Sequence, residues 1–265
     1  MVSLESARQY FLTLAKGPAI VAFSGGVDSL LVLKLAAEAF LPQHPLYALY
    51  ASAPWMPEHA KREAIEAARI INVPLSVIEL PAAPTIGIDS NPLDRCYRCK
   101  RAVFNAFRTF ALDRNIDIIL EGSHVDDLNV YRPGLKAIAE SGALSPLKTL
   151  GMHKSDVRRL LAELGISLAQ KPSGSCLATR LPYGANLDTT ILRRIDESET
   201  VLAHMGFQQI RLRVHGDVVR LELSTEELCK ALDLRREIVA ELKKLGWRYI
   251  TLDLEGFRSG SMDIS

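Results

Sequence analysis

The hexapeptide Ser24-Gly25-Gly26-Val27-Asp28-Ser29 has the make-up of a phosphate-holding turn. Glycines let a backbone bend sharply and aim its N–H groups inward. The start of a following helix adds partial positive charge. Ser24 and Ser29 add hydroxyl donors, and Asp28 suits the magnesium that accompanies a polyphosphate. No Gly-Lys-Ser/Thr follows, so this is not a Walker loop. A glycine turn that only caps a helix is the plainer reading of the same residues.

Four cysteines form a second group. Cys96 and Cys99 make a CxxC pair within Arg95-Cys96-Tyr97-Arg98-Cys99-Lys100, at the expected start of a helix. The helix dipole and the basic neighbours favour thiolates there. Such a pair serves as a redox disulfide, as half a zinc site or as cluster ligands. No second CxxC completes a zinc ribbon. Cys176, in a Gly/Ser loop close to Arg180, is the natural third ligand, and an inert loop thiol is its plainer role. Three thiolates can hold a four-iron–four-sulfur cluster and leave one iron open to an extra sulfide. Cys229 lies among Leu228, Ala231 and Leu232 in an expected helix and reads as a small core residue.

Charged residues in alternating segments form a third group. Arg211, Arg213 and His215 share one strand face, Arg220 and Glu222 share a face of the next, and Thr251 and Asp253 one of the last. A solvated sheet face is the default for this pattern. Two arginines two residues apart can instead clamp a phosphate with forked donors. Asp126 and Asp127 follow a short apolar run, where either a surface turn or a ligand contact is expected. Lys154, just before a helix, is either solvated or in reach of a polyphosphate.

The elements that must position these groups alternate strand and helix in the first half. Ala19–Phe23, Leu46–Ala51, Leu75–Leu80 and Ile116–Leu120 read as strands. Helices are expected from about Ser29 to Phe40, over Glu58–Ile71 and over 97–112, with 81–95 as a loop. That order predicts an α/β fold with a doubly wound, mostly parallel sheet, whose ligands sit beyond the strands' carboxyl ends. After a helix over Ser155–Leu164, started by Ser155, comes a loop over 170–186. A helix near Asp188–Met205, strands Gln209–His215 and Val218–Leu223, two short helices and a strand Arg248–Leu254 make a small α/β lobe. The expected domains are 1–170 and 171–265.

Composition narrows the function. The 265 residues are 48% hydrophobic and 24% charged, as in a globular protein with a core. With 32 Lys+Arg against 31 Asp+Glu, the net charge of +1 argues against a general nucleic-acid surface. No apolar stretch reaches the roughly 20 residues of a membrane span. The segment MVSLESARQYFLTLAKG reads as an amphipathic helix, not a secretory signal. A cytoplasmic protein with reduced cysteines is expected.

SGGVDS at 24–29 resembles the pyrophosphate loop (PP-loop) of the ATP pyrophosphatase superfamily. Further segments are GSHVDDLNVYRPG at 122–134, SPLKTLGMHKSDVR at 145–158 and KPSGSCLATRLPYG at 171–184. With RLRVHGDVVRLEL at 211–223 and YITLDLEGFRSGSMD at 249–263, they resemble the LarE family. LarE proteins are ATP-dependent sulfur transferases that mature the nickel-pincer cofactor of lactate racemase. The resemblance spans nearly the whole chain and implies a Rossmann-like PP-loop domain followed by a small catalytic lobe that binds substrate.

The resemblance implies that ATP–magnesium binds at Ser24, Gly25, Gly26, Val27, Asp28 and Ser29, with Asp127 beside it. The substrate is a pyridinium biscarboxylate mononucleotide, whose phosphate falls to Arg211, Arg213 and Arg258. Glu199 and Glu222 match acidic positions that can carry a metal. Cys176 is the central thiol. In one form of the family it attacks the acyl adenylate and is left as dehydroalanine. In the other, three cysteines bind a cluster that supplies the sulfur. Retention of Cys96 and Cys99 beside Cys176 favours the cluster, with zinc or an idle CxxC as the competing outcome. Arg180 would stabilise developing charge. A homo-oligomer and a downstream nickel-inserting protein are further implied. The rival readings are a tRNA-thiolating pyrophosphatase, an amide-forming one and a non-catalytic nucleotide sensor.

Overall fold

The structure, a computed structural model, describes residues 2–41, 43–129, 133–166, 174–258 and 260–262. The chain divides into two compact units. The first comprises Met1–Ala53, Glu58–Ile86 and Asp94–Gly174, and the second Pro54–Pro57, Gly87–Leu93 and Ser175–Ser265. Two short pieces of the first half of the sequence thus belong to the second unit. The junction expected at 170/171 lies outside the described residues.

In chain order the first unit contains α1 (Leu4–Leu14), β1 (Ala19–Ala22), α2 (Val27–Phe40), β2 (Leu46–Ser52), α3 (Glu58–Ile71) and β3 (Leu75–Glu79). It continues with α4 (Arg95–Leu112), β4 (Ile118–Leu120), α5 (Gly134–Ser141), α6 (Pro146–Thr149) and α7 (Lys154–Glu163). The four strands form a sheet in the order β3-β2-β1-β4, with every pair parallel. This is the α/β class expected from the alternation of strand and helix. Parallel strands need a crossover, and the intervening helices supply it.

Helix α2 organises this unit's core. Eleven of its fourteen residues are buried, among them Leu30, Leu31, Val32, Leu33 and Leu35. A helix apolar on every side must be covered on every side. Here α1, α3, α7 and strands β1 and β2 pack around it. Helix α3 is the opposite case, burying only the stripe Ala64, Ala67 and Ala68. The chain leaves β1 for β2 on one side and has β4 on the other. The crevice at that reversal is where doubly wound folds take ligands. The loops after β1 and β4 both open there.

The second unit holds α8 (Thr189–His204), β5 (Ile210–His215), β6 (Val218–Leu223), α9 (Leu228–Asp233), α10 (Arg235–Lys244) and β7 (Tyr249–Leu252). Strands β5 and β6 form an antiparallel hairpin closed by Gly216, at φ +63°. Strand β7 pairs parallel to β6, and α9 and α10 make that crossover. Helix α8 packs on β5 and on a 3-10 turn over Leu177–Arg180.

Local chemistry moved several element ends. Helix α7 starts one residue early, with His153 and not Ser155 as its N-cap, because Asp126 Oδ2 accepts the Lys154 N–H at 2.7 Å. The last strand stops at Leu252. Asp253 is buried against Arg220, while Leu254 is 84% exposed, so the expected alternation fails at that end. Cys229 is exposed and not a core residue, because six-residue α9 buries only Ala231. Among the described residues, no helix is long and apolar enough to cross a membrane.

Asp188 caps α8, accepting the N–H groups of Thr190 at 2.7 Å and Ile191 at 3.1 Å. These bonds, Ile191 first, hold its carboxyl below the usual value. A depressed carboxyl adds stability above its unfolded pKa and loses it as the pH falls through the folded one. Asp188→Ala should therefore lower the melting temperature at neutral pH. The gap from the parent should close below about pH 4, as read by thermal unfolding across pH.

Candidate functional site

The loop from Ser24 to Ser29 leaves β1 and enters α2. Gly25 sits at φ +74°, and a Cβ there would stand 3.0 Å from Ala64 Cβ, so the position requires glycine twice over. Gly26 is the N-cap of α2. The two serines brace the loop. Ser29 Oγ donates to Gly26 O at 3.0 Å and accepts from Ser24 N at 3.3 Å, with the two hydroxyls 3.2 Å apart. Ser29 is buried, Ser24 exposed, and Asp28 half-buried at the first turn. Backbone N–H groups at the start of a fourteen-residue helix thus face the crevice.

Gly122, at the exit of β4, fixes the other wall. A Cβ on it would lie 2.8 Å from Ser29 N and 3.0 Å from Asp28 C. Sequence reading noted the surrounding segment but not this contact, which no composition rule reveals.

A charged cluster covers the loop. Lys154 Nζ lies 2.7 Å from Asp28 Oδ1 and contacts Oδ2 as well. Buried His124 places Nε2 3.8 Å from Asp28 Oδ1 and 3.7 Å from Asp127 Oδ1. Asp127, also buried, accepts the His124 N–H at 3.1 Å. Asp126 accepts from Lys154 N and lies 2.6 Å from His153 Nδ1. Those two bonds, the backbone one first, hold its carboxyl below its ordinary value. Residues 24–29, Asp127 and Lys154 are therefore gathered at one crevice. Val130, Tyr131 and Arg132 of the same family-like segment lie outside the described residues.

Cys96 and Cys99 stand one turn apart at the start of α4, Cys96 exposed and Cys99 half-buried. That spacing puts two sulfurs on one side of a helix, and Arg98 beside them pairs with Asp94 at 2.8 Å. Cys176 belongs to the second unit, half-buried at the N-cap of the 177–180 turn. Among the described residues, no group of three or more His, Cys, Asp or Glu is arranged to hold a metal ion. Lys171, Pro172 and Ser173, which precede the cysteine loop, lie outside the described residues.

Buried ion pairs surround that loop. Arg180 is 1% exposed. Its Nε and Nη2 donate to the two oxygens of Glu199 at 2.9 and 2.8 Å. Its Nη1 reaches Ser175 Oγ at 2.6 Å, Thr179 Oγ1 at 2.9 Å, Cys176 O at 3.0 Å and Ser175 O at 3.1 Å. Arg180 thus anchors the cysteine loop, a more internal position than a charge stabiliser facing substrate. Arg213 pairs with Glu222 at 2.8 Å and donates to Thr179 O at 2.7 Å. Glu222 also accepts from Arg220 at 3.0 Å and from Ser261 Oγ at 2.6 Å. Arg213, Glu222 and Asp253 on the polar face of this sheet are thus buried in ionic contacts, while His215 and Thr251 are exposed, so the solvated face that alternation suggests holds only at its edge. The oxygens of Glu199 and Glu222 are engaged by guanidinium and hydroxyl donors, which leaves them poorly disposed towards a metal.

Arg211 is half-buried, with its guanidinium 5.3 Å over the Phe257 ring. Burial, then repulsion from Arg180 and Arg213 against the opposing pull of Glu199 and Glu222, pushes its pKa down to about 10. A guanidinium under that strain gains from an anion. Arg258 is exposed and pairs with Glu255 at 2.8 Å.

The four-stranded parallel sheet, the glycine loop at its reversal point and the second α/β unit define an α/β protein whose fold is consistent with the Rossmann-like PP-loop class. No family model matches the chain. Curated relatives do. The pyridinium-3,5-bisthiocarboxylic acid mononucleotide synthase of Lactiplantibacillus plantarum is 34% identical over 243 residues, 92% of this chain and 88% of that protein. An uncharacterised protein of Synechocystis is 33% identical over 98% of this chain and 96% of its own length. One of Methanocaldococcus jannaschii is 30% identical, over 91% and 90%. The chain belongs to the pyridinium-3,5-bisthiocarboxylic acid mononucleotide synthase family, the LarE family.

Gly122→Ala should cost about 1–3 kcal/mol by forcing a methyl against backbone. Gly17→Ala, with nothing within 4 Å of its Cβ position, should cost far less. Chemical denaturation of both variants checks this.

Proposed function

We propose that this chain is an ATP-dependent sulfur transferase that turns the two carboxylates of pyridinium-3,5-biscarboxylic acid mononucleotide into thiocarboxylates. The observation that carries the proposal is the 34% identity to the Lactiplantibacillus synthase over 92% of the chain, which spans both units. The braced loop at Ser24–Ser29 supports ATP as the activating reagent. Family membership further supports a homo-oligomer, a cytoplasmic setting and a nickel-inserting protein as recipient of the product.

Activation comes first. A substrate carboxylate attacks the α-phosphate of ATP, the bond to the β-phosphate breaks, and pyrophosphate leaves with an acyl adenylate behind it. The loop's N–H groups and the α2 terminus hold the departing phosphates. In-line positioning and charge neutralisation account for such a step. Asp28 is a hard oxygen donor at the phosphate site and suits magnesium, which offsets the charge on those phosphates. Lys154, now on Asp28, lies within the same cluster. The half-buried Arg211 guanidinium, near Arg180 and Arg213, suits the substrate's phosphate, with Arg213 and Arg258 as the family-matched partners.

Sulfur then displaces AMP. Cys96, Cys99 and Cys176 are the thiols of the chain that match the family's cluster ligands. Two of them sit one turn apart on α4, a spacing that suits a shared metal centre. A four-iron–four-sulfur cluster held there would supply the sulfide. Without it, the Cys176 thiolate attacks the acyl carbon and AMP leaves. Loss of the cysteine's α-proton and cleavage of its Cβ–S bond then give thiocarboxylate and dehydroalanine. With a resupplied cluster, a second cycle on the same chain would treat the second carboxylate; with a sacrificed Cys176, a second copy of the chain would supply the second sulfur.

Anaerobic protein, ATP, magnesium and the mononucleotide should yield pyrophosphate and a thiocarboxylate product by mass spectrometry. Cys176→Ser should abolish the thiocarboxylate and keep mononucleotide-dependent pyrophosphate release within about threefold. Full thiocarboxylate yield from Cys176→Ser contradicts the assignment. For the sulfur source, the parent purified without oxygen should carry about four irons and matching labile sulfide per chain, and Cys96→Ser should lose both. Iron-free, active parent that ends with dehydroalanine at 176 would select the sacrificed cysteine.

A further inference from the structure

Asn91 is completely buried, yet it belongs to the segment 81–95, which the sequence predicts as a loop. It lies in the segment Gly87–Leu93, which packs in the second unit with the cysteine loop. Its backbone is left-handed at φ +47°, a conformation asparagine tolerates better than most residues. Its main chain is tied at both ends. Asn91 N donates to Ile88 O at 2.9 Å, and Asn91 O accepts from Gly184 N at 3.2 Å.

The side chain is aimed at one target. Asn91 Nδ2 lies 2.8 Å from Pro182 O, 3.1 Å from Leu181 O and 3.3 Å from Ala178 O. Two amide hydrogens are thus shared among three carbonyls at the end of the turn that Cys176 begins. Ala178 O also accepts Leu181 N at 3.3 Å and Pro182 O accepts Ala185 N at 3.2 Å, so the amide adds a second donor to two of these carbonyls. Asn91 Oδ1 is buried without a hydrogen-bond partner among the described residues. A buried acceptor left unsatisfied is costly. It is retained here beside an NH₂ group that does work no hydroxyl or carboxylate can do.

The same turn is held at its start from other directions. Leu177 N donates to Trp55 O at 2.8 Å, and Arg180 Nη1 takes the carbonyls of Ser175 and Cys176. Cys176 therefore precedes a turn fixed at its front by Arg180 and Trp55 and at its rear by Asn91. We infer that Asn91 is a positioning residue for Cys176: its amide NH₂ gathers the carbonyls of residues 178, 181 and 182 and so sets where the Cys176 thiol stands. The inference rests on the proposed role of Cys176 in sulfur transfer.

Two variants separate the amide from the backbone. Asn91→Asp keeps the shape and the left-handed preference but sets an oxygen against three carbonyls. Asn91→Gly keeps the backbone and removes the side chain, and it decides the matter if the Asp variant does not fold. Both should keep mononucleotide-dependent pyrophosphate release within about threefold while thiocarboxylate formation falls at least about tenfold, the scale expected when a reacting group is misplaced. Site-resolved alkylation by iodoacetamide is the second readout. Cys176 should react at least about tenfold faster in both variants, with exposed Cys229 as the unchanged internal standard. Parent-like alkylation of Cys176 and parent-like thiocarboxylate formation in a folded variant overturn the inference. If the parent itself makes no thiocarboxylate, the functional proposal fails, and the alkylation rates alone still judge the role of Asn91.

Discussion

The ion pair between Arg180 and Glu199 is the interaction on which the chemistry-bearing part of the second unit depends. Its two side chains are 2% and 7% exposed. Taking two such charges out of water costs several kcal/mol each, and only excellent geometry with further hydrogen bonds offsets that. Here the carboxylate accepts Arg180 Nε and Nη2 and also the Leu212 backbone N–H at 2.9 Å. One side chain of α8 thus joins the helix to strand β5 and to the loop that carries Cys176. Losing either partner would strand the other charge, at about 3–5 kcal/mol. Arg213 repeats the device from the sheet, pairing with Glu222 while its other nitrogen reaches Thr179 O. Two arginines from different elements therefore converge on the backbone around the cysteine, Arg180 at Ser175 and Cys176 and Arg213 at Thr179.

The first unit solves a different problem with less charge and more geometry. A phosphate-holding turn works only if its N–H groups keep their direction when no ligand is present. Ser24 and Ser29 brace the turn from within, α3 crowds it at Ala64, and Gly122 lets β4 approach the helix terminus. The acidic and basic groups around Asp28 then form a charged layer beside the braced backbone, with Lys154 placed on the carboxylate that suits magnesium. In the proposed function, activation of a carboxylate and delivery of sulfur make unlike demands. A rigid turn would serve the first and a tied-down thiol the second.

Much of the first unit was legible because its rules are local. Buried parallel strands read as short apolar runs, α3 shows its stripe at Ala64, Ala67 and Ala68, and SGGVDS carries its own geometry. The second unit hid its main feature. Arg213 and Glu222 alternate with apolar residues as a solvated face would, and nothing local distinguishes a charge facing water from one facing a buried partner of opposite sign. Arg180 and Glu199 are 19 positions apart with no pattern linking them. Trp55 and Asn91 were illegible for a further reason, since they come from the first half of the chain and act in the second unit. The end of the last strand misled as well, because the Arg220–Asp253 contact, not alternation, decides which residue is buried there.

The most direct test of the central claim, that the Arg180 guanidinium holds the cysteine loop for sulfur transfer, is to time both half-reactions in Arg180→Lys. Lysine keeps the charge opposite Glu199 but lacks the planar fork that reaches Ser175, Cys176 and Thr179 at once. In folded protein, pyrophosphate release should stay within about threefold of the parent while thiocarboxylate formation drops at least about tenfold. Thiocarboxylate formation at the parent rate, or an equal loss of both steps, would contradict it.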